Sequence, residues 1–224
     1  MRVGTWNLQH GRPNPDGAPD VGPAVARLRA LAVDVWAFQE LDRDRRRSGR
    51  DDQPRRLADG LGGQLVWAPA VRRGGQYGVA LVVGGVVLRS ETVRLPGGGE
   101  PRVLVIAEVE VGGESWTVAG THLSTQRAVA TRQLLASFDE LVRWSPPILL
   151  LGDLNLIAPE VLPWSTAEGY QLVDGPPTHS TRQPRATRRI DHVLLSGASA
   201  HRAQVVDLGA SDHKAVLADV VAVT

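Results

Sequence analysis

Cysteine is absent from this 224-residue chain, and lysine occurs once, at Lys214. The lack of cysteine excludes disulfides and thiolate metal sites, so any metal ion must be held by oxygen atoms or imidazole nitrogens. The other basic residues are arginines, which can form bidentate pairs with phosphate. An arginine-biased genome would produce the same usage, and we favour that explanation.

The sequence also lacks a large net charge, a long apolar run and an internal repeat. The formal net charge of +1 argues against tight non-specific binding to DNA, which requires many phosphate contacts. The N-terminus shows no charged segment followed by an apolar one, and no stretch is long enough to span a bilayer. We therefore expect a soluble, cytoplasmic monomer in which residues 1–224 form a single domain.

Residues 148–155, with the sequence ILLLGDLN, carry the clearest local signal. Four consecutive aliphatic residues predict a strand that is buried on both faces. Asp153 and Asn155 follow at positions i and i+2, which would direct both side chains to the same side of a strand. A carboxylate can bind a metal ion or polarise a water, and an amide can donate to a phosphate oxygen. A strand followed by an ordinary Asx turn is the competing interpretation.

The rest of the chain predicts a mixture of helices and strands. We expect helices at residues 23–32, 54–61, 126–143 and 160–169. We expect strands at residues 2–8, 34–40, 64–67, 77–83, 86–95, 102–111, 115–121, 189–195 and 215–223, in addition to the strand that begins at 148. Gly84-Gly85 and Gly112-Gly113 predict hairpin turns, so the middle third is a β-meander and the sheets are not purely parallel.

Polar residues recur where the predicted strands end. Each alone has an ordinary explanation as a turn former or a hydrogen-bonded side chain. If the ends meet at one rim, Glu40, Asp153 and Asp212 bring several negative charges together, which either raise each other's pKa or require a counter-ion. With oxygen ligands dominant, the expected ion is Mg²⁺, with Mn²⁺ as the alternative. The recurring residues are Asn7, Glu40, Tyr77, His122, Asp153, Asn155, Asp191, Asp212 and His213.

Seven short motifs occur in order along nearly the whole chain: Thr-Trp-Asn at 5–7, Gln-Glu at 39–40, Tyr-Gly at 77–78, Thr-His-Leu at 121–123, Gly-Asp-Leu-Asn at 152–155, Ile-Asp-His at 190–192 and Ser-Asp-His at 211–213. Together they resemble the endonuclease/exonuclease/phosphatase superfamily, which includes pancreatic deoxyribonuclease and sphingomyelinases. The resemblance implies a fold of the α/β (α+β) class: a four-layer α/β/β/α sandwich of two mixed β-sheets flanked by helices. It also implies an active site at one rim of the sheets.

The resemblance further implies a metal site and a water-activating group. Glu40 resembles the main Mg²⁺ ligand, and the other residues of the metal site are Asn7, Asp212 and Asp153. Asp153 also resembles the carboxylate that orients or deprotonates the attacking water. His213 resembles a catalytic imidazole that Asp191 orients, an arrangement in which the carboxylate supports the imidazolium.

The remaining roles that the resemblance implies concern the phosphate. Asn155 resembles the amide that holds it, and Tyr77 the tyrosine that donates a hydrogen bond to it. His122 resembles the histidine of the deoxyribonuclease and sphingomyelinase branches, but Val79 stands where many relatives carry its Asn or acidic partner. Additional candidates for substrate contact are Thr178, Arg188 and Arg189.

These roles describe a divalent-metal-dependent phosphoesterase, in which water activated through Asp153 and His213 attacks phosphorus in line. Near-zero net charge and the compact chain favour a phosphodiester or phosphomonoester of a small molecule or a lipid headgroup as the substrate. The Arg-rich segments 43–56 and 182–189 favour the alternative, a DNA or RNA nuclease. A non-catalytic binding domain of the same fold is a remote alternative, because no catalytic position is missing. His10 and Arg12 either touch substrate or reflect ordinary loop polarity.

Overall fold

The computed structural model describes residues 1–11, 20–179, 187–209 and 211–223. Arg12 and residues 182–186, which are candidates for substrate contact, lie outside these ranges. The described residues form two six-stranded β-sheets and four α-helices. None of the described helices has the length and the apolar character needed to cross a bilayer.

The helices and nearly all strands occur where the sequence predicts them, with ends that differ by a few residues. The helices are α1 (Gly22–Ala30), α2 (Gln53–Leu61), α3 (Arg127–Leu141) and α4 (Ala158–Ala167). The strands are β1 (Arg2–Asn7), β2 (Val35–Arg43), β3 (Gln64–Val71), β4 (Gln76–Val83), β5 (Val86–Arg94), β6 (Val103–Val111), β7 (Glu114–His122), β8 (Ile148–Asp153), β9 (Gln171–Leu172), β10 (Asp191–Ser196), β11 (Ala198–Val206) and β12 (Ala215–Ala222).

Both sheets contain parallel and antiparallel neighbours. The first sheet has the strand order β11-β12-β1-β2-β4-β3, and the second has the order β5-β6-β7-β8-β10-β9. Strands β1 and β2 are parallel in the first sheet, and β7 and β8 are parallel in the second. Their other neighbours are antiparallel. The predicted sandwich of two mixed sheets with flanking helices is therefore confirmed.

Three apolar layers hold the sandwich together. Aliphatic side chains such as Leu81 and Leu151 fill the space between the two sheets. Helices α1 and α2 pack on the outer face of the first sheet around Trp36, whereas α3 and α4 pack on the second around Leu134 and Phe138. Each fully buried side chain of this size stabilises the fold by about 1.5–3 kcal/mol relative to its exposed state.

Two features of the chain path differ from the prediction. Gly84-Gly85 predicts a hairpin, but β4 belongs to the first sheet and β5 to the second, so these glycines carry the chain across the sandwich and the prediction is wrong. The predicted hairpin at Gly112-Gly113, between β6 and β7, is confirmed. Strands β9 and β11 have no counterpart among the predicted strands. Strand β9 is two residues long, and the sequence of β11, ASAHRAQVV, contains mainly small and polar residues.

Candidate active site

The strand ends that carry the predicted polar residues meet at one rim of the sandwich. In the second sheet, His122 of β7 pairs with Asp153 of β8, and Asp153 pairs with Asp191 of β10. These three residues therefore lie side by side in one row across three neighbouring strands, and all three are buried. The first sheet contributes Asn7 from the end of β1 and the Asp212-His213 pair from just before β12.

A cleft of about 470 Å³ opens over this rim. The predicted residues that line it are Glu40, Tyr77, His122, Asp153, Asn155, Arg188, Asp212 and His213. Asn7, Thr178 and Asp191 are fully buried among the cleft residues. Arg189 does not line the cleft, because its guanidinium is buried against the carbonyl of Val173.

Glu40 reaches the cleft through a β-bulge in β2. Phe38 pairs with Ala80 but Leu41 pairs with Gly78, so β2 carries one extra residue at this point. Glu40 adopts a left-handed φ of 58°, a conformation that costs about 1–3 kcal/mol in a residue other than glycine. The bulge directs into the cleft a side chain that regular alternation would send to the opposite face.

The environment of Glu40 keeps its carboxylate ionised. Its Oε1 accepts a hydrogen bond from Asn7 Nδ2 at 3.0 Å, and its Oε2 lies 3.6 Å from Nδ1 of His10. Burial acts to raise the pKa of Glu40, but His10, His122 and the Asn7 amide outweigh burial and lower it to about 2. An ionised oxygen donor that faces a cleft suits a hard divalent cation.

Asp153 ends β8 and is held by two donors. Asn7 Nδ2 donates to Oδ2 at 3.0 Å, and the backbone N–H of Asn155 donates to Oδ1 at 3.0 Å. The second bond closes an Asx turn, with Asn155 at a left-handed φ of 51°. Asn155 thus enters the cleft through the turn, and the prediction that strand alternation places it there is wrong. Burial, reinforced by Asp191, raises the pKa of Asp153 to about 6.

Gly152 allows β8 to approach β7 closely just before Asp153. A Cβ at this position would lie 2.1 Å from the carbonyl oxygen of Thr121, and the backbone has a φ of 155°. Only glycine avoids that overlap. In the Gly-Asp-Leu-Asn motif, the glycine is therefore needed for the close approach of two strands, and the Asp and Asn side chains line the cleft.

His213 and Asp191 form a buried ion pair. Nδ1 of His213 lies 2.9 Å from Oδ2 of Asp191, and its Nε2 lies 3.7 Å from Oδ2 of Asp153. Burial acts to lower the pKa of His213, but the carboxylates Asp191, Asp153 and Asp212 outweigh burial and raise it to about 10. The ring is therefore cationic at neutral pH. Thr178 Oγ1 donates to Oδ2 of Asp191 at 2.5 Å, which places this hydroxyl behind the acid.

His122 has a different partner. Its Nδ1 lies 3.0 Å from Nη1 of Arg102, and its Nε2 lies 3.4 Å from Oδ2 of Asp153. Burial and the charge of Arg102 lower the pKa of His122 to about 3. The side chain of Val79 packs in the core between the sheets. The family resemblance predicts no Asn or acidic partner for His122, because Val79 stands at that position. In the structure, Arg102 contacts Nδ1 of His122 instead.

Arg102 and His179 line the cleft but were not among the predicted site residues. The hairpin of β6 and β7 has the register Leu104 to Thr121, which puts residue 102 beside the end of β7. The Gly112-Gly113 turn could have revealed this proximity. His179 lies in a predicted loop, its ring centroid is 4.4 Å from that of His213, and its Nε2 is 3.6 Å from Oδ2 of Asp212.

Tyr77 and Arg47 also line the cleft, and Arg45 lies over the same ring. The guanidinium carbons of Arg47 and Arg45 lie 5.2 and 5.7 Å from the Tyr77 ring centroid, and Arg47 is held by a bidentate pair with the buried Asp42. Burial and the charge of Glu40 raise the pKa of Tyr77. Its hydroxyl therefore remains protonated and can donate a hydrogen bond.

The donor chemistry of the cleft fits a divalent cation. Among the described residues, two groups bring three potential metal-ligating atoms within 4.8 Å of one another: His179, Asp212 and His213, and Asp153, Asp191 and His213. Glu40 belongs to neither group, so the predicted carboxylates Glu40, Asp153 and Asp212 are not gathered at that distance. The oxygen atoms available are nevertheless those that Mg²⁺ and Mn²⁺ prefer.

Comparison with known proteins gives a match to one family. The model of the Endonuclease/Exonuclease/phosphatase family matches residues 4–213. None of the curated proteins compared matches the chain in sequence. The chain is similar to a solved endonuclease/exonuclease/phosphatase from Beutenbergia cavernae DSM 12333, with 26% identity and a TM-score of 0.79 over 100% of this chain and 72% of that one.

Two further solved structures share the fold at lower identity. The catalytic domain of human nocturnin, with a bound sulfate anion, has 18% identity and a TM-score of 0.74 over 99% of this chain and 94% of its own. A mannosyl-6-phosphatase from Bacteroides thetaiotaomicron VPI-5482 has 14% identity and a TM-score of 0.77 over 99% of each chain. At these identities the likeness concerns the fold alone.

Proposed function

Because this chain belongs to the endonuclease/exonuclease/phosphatase family, we propose that it hydrolyses a phosphate ester, with a phosphodiester as the preferred substrate, by in-line attack of water. Enzymes of this family are generally hydrolytic phosphoesterases. One observation carries the proposal. At the floor of the cleft, a buried Asp153 lies beside a cationic His213 and accepts hydrogen bonds from Asn7 and Asn155.

Asp153 is the group best suited to take the proton of the attacking water. Its pKa is raised to about 6 by burial and by Asp191, which brings it close to the pH at which a general base works best. His213 carries a proton at neutral pH because its pKa is raised to about 10. It therefore cannot be the base in that state.

One residue of the site then accepts a proton and another donates one. As the water oxygen bonds to phosphorus, its proton passes to Asp153. As the bond from phosphorus to the leaving oxygen breaks, the departing alkoxide takes a proton from His213. Asp191, held by Thr178, keeps the His213 ring oriented for this transfer. Asn155 and Tyr77 provide donors for the phosphate oxygens from two sides of the cleft.

A divalent cation, Mg²⁺ or Mn²⁺, would be held by Glu40 together with Asn7 and Asp212, with Asp153 left to act as the base, and would supply positive charge to the phosphate oxygens. The ionised state of Glu40 supports this assignment, since its pKa is lowered to about 2. Removal of the cation by EDTA is expected to abolish hydrolysis.

A nuclease is the second candidate. The observation that favours it is the presence of three arginines in the cleft lining, Arg47, Arg102 and Arg188. Guanidinium groups bind the phosphates of a nucleic-acid backbone without reading its sequence. The same groups would equally serve a small substrate with more than one phosphate.

Hydrolysis of three substrates tests the proposal and separates the candidates. A chromogenic phosphodiester, a phosphomonoester and supercoiled plasmid would each be incubated with Mg²⁺, Mn²⁺ or EDTA. Asp153→Asn serves as the inactive variant, and Asp139→Asn, an exposed acid on α3, as its matched control. We expect metal-stimulated diester hydrolysis that Asp153→Asn abolishes and Asp139→Asn retains. Metal-dependent plasmid nicking would identify a nuclease, and no hydrolysis of any substrate would refute the proposal.

A further inference from the structure

Arg102 contacts His122 at the floor of the cleft. The arginine stands just before β6, its side chain is buried, and its Nη1 lies 3.0 Å from Nδ1 of His122. The same Nη1 lies 3.0 Å from Oε1 of Glu100, which partly balances the charge. Within the described residues, the Nε of Arg102 is buried without a hydrogen-bond partner.

The direction of the Arg102–His122 hydrogen bond follows from the chemistry of the two groups. A guanidinium has only donors and stays protonated in proteins. Nδ1 of His122 must therefore accept, which leaves the ring hydrogen on Nε2 if the ring is neutral. A hydrogen on Nδ1 would set an N–H against an N–H, and a ring protonated on both nitrogens would in addition set a cation against a cation in a buried site.

The Nε2 atom of His122 is in a position to use its hydrogen. It lies 3.4 Å from Oδ2 of Asp153, the proposed base, and the ring lines the cleft. Among the described residues, Nε2 makes no hydrogen bond. An N–H at this position can therefore point towards a phosphate oxygen of a substrate whose phosphorus lies in front of Asp153.

We propose that Arg102 is a positioning residue that fixes His122 as a neutral imidazole with its hydrogen on Nε2, so that His122 donates a hydrogen bond to the phosphate and transfers no proton. This inference rests on the proposed phosphoesterase function and extends it. His213 faces a carboxylate through Nδ1 and carries the mobile proton, whereas His122 faces an arginine through Nδ1 and serves as a fixed donor.

The tautomer can be measured without any activity. Protein labelled with ¹⁵N-histidine in EDTA would be studied at neutral pH by long-range ¹H–¹⁵N correlation, with the His122 signals identified by their loss in His122→Gln. We expect a bare Nδ1 and a protonated Nε2 in the wild type. Arg102→Met should give the other tautomer or a mixture, and Arg102→Lys should restore the wild-type pattern. A protonated Nδ1 in the wild type would overturn the inference.

Kinetics with two leaving groups distinguish a donor from an acid. His122→Gln keeps a neutral amide donor near Nε2, so its rate loss should be equal for an activated aryl diester and an unactivated alkyl diester. His122→Ala removes the donor and should lose about 10²–10³-fold in kcat on both esters, as loss of one oxyanion donor does. A loss by His122→Gln that is confined to the alkyl ester would identify His122 as a general acid and refute the proposal.

Controls separate this inference from folding and from the proposed function. Arg132→Met removes an exposed arginine on α3 and should leave both the rates and the His122 signals unchanged. Arg102→Met should lower kcat more than it raises KM, with Arg102→Lys recovering the loss, and near-ultraviolet circular dichroism would verify the fold of each variant. If the wild type hydrolyses no ester, the proposed function fails while the tautomer experiment still decides the Arg102–His122 contact.

Discussion

The space between the two sheets is apolar, whereas the rim of the same sheets is polar. Successive inward-facing positions of the same strands form both regions. On β8, Leu149 and Leu151 face the apolar core, and Asp153 is the next residue in the same alternation. On β10, Asp191 likewise precedes Val193 and Leu195. Because strand positions alternate with a period of two, these polar side chains occupy the line of the core where it reaches the rim.

The difference shows that the strands themselves, rather than dedicated loops, supply most groups of the candidate active site. Asn7, Tyr77 and His122 are in phase with inward-facing residues of β1, β4 and β7 in the same way. Burial, which stabilises the aliphatic residues, changes the pKa values of the ionisable ones. The same desolvation that stabilises the core therefore shifts pKa values at the rim, as at the sites of many enzymes.

The largest contrast between the two regions is expected for Asp153→Asn. The variant should lose about 10³-fold or more in kcat/KM, within the range for a removed general base. Its stability should be unchanged or higher, because burial penalises the charged form of this carboxylate. Rates with the chromogenic diester and urea unfolding in EDTA would measure both effects, with Asp139→Asn as the control. Near-normal activity would contradict the assignment.

The opposite result is expected for Leu81→Ala in the core. This fully buried residue of β4 lies between the sheets, and its truncation should lower the free energy of unfolding by about 2–5 kcal/mol. The kcat of the folded protein, measured well below its melting temperature, should remain within about twofold, because removed core atoms that do not contact the site leave its chemistry intact. A large loss of kcat with little change in the free energy of unfolding would contradict the prediction that the core contributes to stability and the rim to activity.

The free energy of unfolding should depend on pH in opposite directions through two buried histidines, His213 at the rim and His192 on β10. Carboxylates raise the pKa of His213 to about 10, so its stabilising contribution is complete below the unfolded-state pKa of about 6.5 and is lost as pH rises towards 10. Burial lowers the pKa of His192 to about 4, so its contribution is present above about 6.5 and is lost as pH falls towards 4.

Unfolding in EDTA measures these opposite slopes. The His213 contribution should fall by at most about 1.4 kcal/mol per pH unit above pH 7, and His213→Gln should flatten the curve between pH 7 and 10. His192→Gln should flatten it between pH 4 and 6.5 and leave the alkaline side unchanged. An alkaline slope that His213→Gln does not alter would show that the ion pair with Asp191 does not stabilise the cationic ring.

The smallest effect is expected for Thr178→Val, which removes the hydroxyl that donates to Asp191. Loss of the hydrogen bond to this charged acceptor should cost about 1.5–3 kcal/mol of stability. The same hydroxyl also accepts from the backbone N–H groups of Ile190 and Asp191 at 3.3 Å, so those two donors lose their acceptor as well. The kcat should fall by about tenfold, one step of about 1.4 kcal/mol in the barrier, because Asp191 then holds His213 less firmly. Thr131→Val, a threonine on α3 that bonds only to its own helix, is the matched control. Equal kcat in the two variants would remove Thr178 from the positioning chain.

Local patterns were sufficient to predict most elements and the residues of the rim. The apolar run of β8 and the polar residues after it are both visible in a few consecutive letters. Register and sheet assignment depend on distant residues, so the crossing at Gly84-Gly85 and the strand β11 were not predictable in this way. The bulge that directs Glu40 and the contact of Arg102 with His122 also depend on how two strands align. The roles assigned to the rim residues remain predictions.

The left-handed backbone at Glu40 has an evolutionary consequence. Glycine adopts this φ without strain, so Glu40→Gly would relieve the conformational cost. The same change would remove the contacts with Asn7 and His10 that favour the ionised carboxylate, so the two effects on stability oppose each other. A single codon change would therefore remove the proposed cation ligand at little net cost in stability, and only selection for the proposed turnover would oppose it. A form silenced in this way could keep an intact ester in the cleft, which is the first step by which a hydrolase becomes a receptor.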